Sequence, residues 1–125
     1  MGSNREELSA QLMDDIDPEL LEFIQLRVNT FIKWDLVQFF HRNPHTTDLP
    51  NQIAQYIGRD PRIVGPELKA LATSGVLHEE ELQGMRIYTL TPDDDMRERI
   101  ARFMQACEDR QFRLKAIYHV IKGLH

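Results

Sequence analysis

The chain has 125 residues, of which 28% are charged and 42% apolar, with a formal net charge of −5 at pH 7 and one cysteine. That is one ordinary globular domain, able to bury about two thirds of the surface its unfolded form exposes, and neither a disordered nor a membrane chain. No apolar run approaches a membrane span and no signal peptide stands before the first charged residues, so a cytoplasmic location is expected, with no membrane partner.

The acidity is uneven. Residues 1–30 carry seven acidic and two basic side chains, residues 31–92 seven and six, and residues 93–125 six and seven. Residues 1–16, polar and acidic with scattered Leu8, Leu12 and Met13, read as a flexible acidic arm. At Asp17-Pro18-Glu19 an N-cap, a first-turn proline and an early carboxylate announce an N-terminal helix over residues 17–30. Its apolar positions Leu20, Leu21, Ile24 and Val28 recur at helical spacing, which leaves a break near Asn29-Thr30 open. From Phe31 to Arg42 a strongly apolar helix follows, with Ile32, Leu36, Phe39 and Phe40 on one side and Trp34 and Val37 on another. A helix apolar on two faces has two things to cover, here the core and either a second subunit or the C-terminal helix.

Asn43-Pro44 stops that helix. A loop through His45 to Asp48 should supply a cap, Thr47 or Asp48, for the next one. Residues 53–77 then read as two short helices joined by a tight turn. Ile53, Ala54 and Ile57 form the buried side of the first, and Val64, Leu68 and Leu71 that of the second. Gly58 stands where a left-handed turn residue is wanted, and Asp60-Pro61 supplies a cap and a first-position proline. After a glycine stop at Ser74-Gly75, a strand from Val76 to Leu82, a Gln83-Gly84 turn and a strand from Met85 to Leu90 make a hairpin. Helix, helix-turn-helix, hairpin is the winged-helix order. The fold class expected is therefore mainly α with a small β-hairpin.

Residues 31–92 resemble the winged helix-turn-helix domain of small bacterial transcriptional regulators of the ArsR and MarR type. The likeness is carried by Ile53-Ala54 with Gly58, by Leu68 and Leu71 three apart, by Ser74-Gly75-Val76-Leu77 and by the closing stretch from Arg86 to Pro92. The resemblance implies a homodimer that binds double-stranded DNA, the second helix of the motif entering the major groove while the hairpin touches the flanking backbone. The residues suited to that contact are Arg59, Arg62, Lys69 and Arg86, with Arg42 on the backbone. Two features run against it. Gly65-Pro66-Glu67 stands where relatives of this type often carry donors, and Pro66 is expected either to kink the helix or to restart it. In the wing, Glu79, Glu80 and Glu81 face a polyanion with Arg86 alone to offset them.

The last segment starts at Thr91-Pro92-Asp93, with Thr91 as cap, and is expected to form one long helix over residues 93–125. Met96, Ile100, Phe103, Cys107, Leu114, Ile117, Ile121 and Leu124 recur at alternating steps of four and three, with Arg110 interrupting. This heptad stripe either packs on its own domain or pairs with a second subunit. The dimer interface expected draws on Leu20, Ile24, Val28, Ile100, Phe103, Cys107, Leu114, Ile117, Ile121 and Leu124, the stripe pairing either with its symmetry mate or with the helix around Leu20 to Ile32.

No enzyme is expected, because nothing pairs a nucleophile with a base or sets carboxylates about a cleft. No cofactor or metal is expected either. Pro44 breaks the face that His41 and His45 would share, and Cys107 has neither a disulfide partner nor a Cys-x-x-Cys neighbour. A small-molecule effector could lodge near Trp34, Phe103 and Phe112, although aromatic residues at helical spacing are more often core. The function expected is thus a dimeric DNA-binding regulator. The alternative is a winged-helix protein-protein interaction module that does not bind DNA.

Overall fold

The computed structural model describes residues 15–124. The acidic arm expected over residues 1–16 lies outside the described residues, except for Asp15 and Ile16. The Asp15 carbonyl accepts a 2.7 Å hydrogen bond from Lys115 Nζ, and Ile16 packs against the core.

The described residues form six helices and a small antiparallel sheet: α1 (Pro18–Arg27), α2 (Phe31–Arg42), β1 (Thr47–Asp48), α3 (Pro50–Ile57), α4 (Pro61–Thr73), β2 (Leu77–Leu82), β3 (Met85–Leu90), α5 (Asp94–Ala106) and α6 (Arg110–Gly123). The sheet order is β1-β3-β2, with Thr47 opposite Thr89 and Leu77 opposite Leu90. The short strand β1 replaces the plain loop expected at residues 45–48. Gln83 and Gly84 both take positive φ, 51° and 78°, the two-residue turn whose twist suits a hairpin.

Local chemistry sets most boundaries. The Asp17 carboxylate accepts from the Glu19 amide and caps α1, which ends at Arg27 rather than residue 30. Thr30 Oγ1 then accepts from the Lys33 amide and starts α2, so the chain does break at Asn29-Thr30. Leu49, not Thr47 or Asp48, is the N-cap of α3, because Pro50 takes the first helical position. The Asp48 carboxylate instead accepts from the Leu49 amide and the Tyr56 hydroxyl. Gly58, at φ 69°, closes α3 in the left-handed region. Helix α4 runs unbroken from Pro61 through Pro66 to Thr73, so the helix does not restart with Pro66 at a new first position.

The C-terminal segment corrects the sequence reading most. It is two helices rather than one, broken at Cys107-Glu108-Asp109. Asp93, not Thr91, caps α5, because Thr91 Oγ1 makes a turn onto the Asp93 amide. Asp109 caps α6 by accepting from the Gln111 amide, which ends the first helix by starting a second. The heptad stripe divides at this corner. Its first half, Met96, Ile100, Phe103 and Cys107, enters the core. In α6 the buried positions are Ala116, His119 and Val120. At 100° per residue their mean direction lies roughly 125° around the helix from that of Leu114, Ile117, Ile121 and Leu124.

The core is continuous from α1 to α6. Ile53, Ala54, Val64, Leu68 and Leu71 are fully buried, as their spacing predicts. Phe103 lies at the centre of an aromatic group, with ring centroids 5.2 Å from Phe23, 5.3 Å from Trp34 and 6.1 Å from Phe112. The second apolar face of α2, which carries Trp34, is thus covered by the chain's own α5.

Candidate nucleic-acid interface

Helices α3 and α4 are joined by Gly58-Arg59-Asp60, a turn short enough to hold them at a fixed angle. The Arg59 amide returns to the Ala54 carbonyl at 3.0 Å, and the Asp60 carboxylate caps α4 through the Arg62 amide at 2.9 Å. With Val64, Leu68 and Leu71 facing inward, helical geometry turns Arg62, Pro66 and Lys69 to the outside. All three are exposed.

The five expected DNA-contacting residues do not form one bare basic patch. Arg62, whose side chain is 90% exposed, reaches back to the Asp60 carboxylate at 2.8 Å. That guanidinium holds the Asp60 carboxyl below the usual carboxylate range, and the pairing raises the pKa of Arg62 in turn. Arg59 pairs with Asp35 at 2.7 Å, and Arg86 with Glu79 at 3.1 Å. Arg42 faces the Gln38 amide, whose oxygen, in the orientation that satisfies both groups, lies 2.9 Å from each of its outer nitrogens. Lys69 stands on the outer face of α4 with no charged partner among the described residues. Exposed ion pairs of this kind are worth about 0–1 kcal/mol and exchange readily for another anion.

In the hairpin, the Tyr88 hydroxyl donates to Glu79 at 2.7 Å from the opposing strand position. Burial, and then that hydrogen bond, push the tyrosine up to about 12. His78 lies 3.1 Å from Glu80, and Glu81 stands across the ladder from Arg86. One of the three wing carboxylates is therefore satisfied inside the hairpin, which spacing alone does not reveal.

Sequence reasoning missed Tyr56. It is exposed, stacks on Phe39 at 5.6 Å and donates to Asp48 at 2.7 Å. That bond, more than burial, raises its pKa. The polar residues at 45–48 hint at a cap but not at a tyrosine eight positions on.

The expected dimer residues divide in two. Ile24, Val28, Ile100, Phe103 and Cys107 are buried within a single chain and so are closed to a partner, and Leu20 is half-buried. Leu114, Ile117, Ile121 and Leu124 remain exposed. Of the three aromatic residues expected near an effector, Phe103 is sealed in the core. The opening beside Trp34 is a groove of about 460 Å³ that Met104, Arg42 and Arg113 also line. Among the described residues, no three His, Cys, Asp or Glu side chains gather as metal ligands, and no helix is long and apolar enough to cross a membrane.

No family model, curated protein or solved structure gives a significant match to the chain.

Proposed function

We propose that the chain is a DNA-binding transcriptional regulator, acting as a homodimer through a winged helix-turn-helix. The observation that carries this reading is the arrangement of α3, its glycine-closed turn and α4 beside the β2–β3 hairpin, with Arg62 and Lys69 on the outer face of α4. In this reading α4 lies in the major groove, Lys69 and Arg62 meet phosphates or base edges, and Arg59, Arg86 and Arg42 exchange their surface partners for backbone oxygens. Leu114, Ile117, Ile121 and Leu124 supply the apolar surface for the second subunit.

A second reading is favoured by one observation: the wing presents Glu80 and Glu81, and three of the five candidate cations already hold carboxylates. In that reading the same face is a protein-protein interaction module without DNA. Binding to genomic DNA fragments across a salt series separates the two. The regulator reading expects binding at low salt that weakens as salt rises. Lys69→Ala should lower affinity across sequences and flatten the logarithmic salt slope by about 0.9. Absence of binding at low salt overturns it in favour of the protein module.

A further inference from the structure

We infer that α4 reads thymine: Ile63, Pro66 and Ala70 form an apolar ridge that packs on the 5-methyl groups thymines present in the major groove. This rests on the DNA-binding reading above and names what that face recognises.

The outer face of α4 is two-sided. With Val64, Leu68 and Leu71 buried, helical geometry sets Arg62 and Lys69 to one side of the outward direction and Ile63 and Ala70 to the other, with Pro66 between them. Ile63 is 51% exposed, Pro66 is exposed and Ala70 is half-buried. Spaced three and then four residues apart, they make one continuous row rather than apolar side chains scattered singly, and such a row calls for a ligand. From Ile63 to Ala70 it runs about 10 Å along the helix, the length of about three base steps of roughly 3.4 Å.

Neighbouring carboxylates leave the ridge clear. Glu67, next to it on the helix, is drawn aside to Lys33 at 3.5 Å, and Asp60 is taken up by the cap and by Arg62. The three ridge side chains carry no hydrogen-bond donor or acceptor. Against a G·C pair they would strip water from the cytosine amino group and the guanine O6 and N7 without replacing those bonds, whereas thymine offers a methyl group at the same edge. One side of α4 thus holds cations for phosphates while the other makes a dry contact that favours thymine. Pro66 suits this use, since its exposed ring forgoes a helix hydrogen bond yet adds apolar surface on the side that faces the groove.

The test starts from a duplex that the full chain selects at low salt from a random pool. Its thymines are replaced one at a time by deoxyuridine, which lacks only the methyl group. Dissociation constants are then measured for the wild type, Ile63→Ala and Lys69→Ala, with circular dichroism to confirm that each variant is folded. In the wild type each contacted thymine should lose about fourfold in affinity on replacement, the effect of returning one methyl group to water. Ile63→Ala should abolish that difference at one or more of these positions. Lys69→Ala should weaken all the duplexes alike and keep the difference. Failure to select any duplex overturns the DNA-binding reading and this inference together, and leaves the face to a protein partner. A selected duplex bound equally well with thymine and with deoxyuridine at every position overturns the inference alone. So does a thymine preference that Ile63→Ala leaves whole at every position, because another element then reads the methyl group.

Discussion

Replacing Pro66 with alanine should make the protein more stable. Pro66 is the sixth residue of α4, beyond the first turn, where the Val64 amide already bonds to the Asp60 carbonyl at 3.0 Å. It therefore withholds one interior hydrogen bond, to the Arg62 carbonyl, and presses its ring on that turn, a cost of about 3 kcal/mol in host helices. Its side chain is exposed, so no packing is lost on truncation. Alanine also frees the unfolded chain, which takes back about 0.4–1 kcal/mol. The net gain is about 2 kcal/mol. For 125 residues, an unfolding entropy of about 2.1 cal/mol/K per residue converts this to a rise in Tm of roughly 8 °C. Differential scanning calorimetry, with urea melts to check that the m-value is unchanged, measures it. An unchanged or lower Tm would refute the account of α4 as a regular helix strained at one residue.

Two further outcomes follow from conformation and from burial. Gly58→Ala should destabilise by about 1 kcal/mol, because an alanine Cβ meets nothing within 4 Å and the penalty comes from φ 69° alone. Urea midpoints would record it, and a neutral result would mean that α3 ends by another route. Alkali should also destabilise the fold. Tyr88 and Cys107 are both raised to about 12 by burial, from ordinary values of 10.0 and 9.0. A group whose pKa is higher folded than unfolded contributes fully below its unfolded value and loses that contribution as pH rises through the folded one. Stability should therefore decline from about pH 9 to pH 12, and Tyr88→Phe should flatten the part above pH 10. Urea midpoints between pH 8 and pH 12 read this directly, and a flat profile for the unmodified chain would contradict the burial of both groups.

Where one residue type permits one geometry, the sequence was informative. Asp17-Pro18, Asn43-Pro44, Asp60-Pro61 and Gly58 each stand at an element boundary, and the inward sets of α3 and α4 follow from period and residue type. Long-range choices were less legible. The stripe from Met96 to Leu124 keeps its period across the break because periodicity measures spacing, not continuity, and Asp109 within an otherwise helical pattern is as compatible with an exposed helical residue as with a new cap. Strand β1 has two residues and forms only because β3 lies beside it, so no window of sequence contains its cause. At the candidate interface the basic residues could be chosen by type, but their pairing could not. Asp35 and Arg59 are 24 positions apart.

The corner between α5 and α6 has a consequence for solubility. A straight continuation of α5 would carry a single hydrophobic seam from Met96 to Leu124, and one face of that helix could be wet. Turning at Cys107-Glu108-Asp109 lets the first half cohere with its own chain and presents the second half outward as adhesive surface. One carboxylate, holding the Gln111 amide at 3.1 Å, thus helps set how sticky the molecule is to its neighbours.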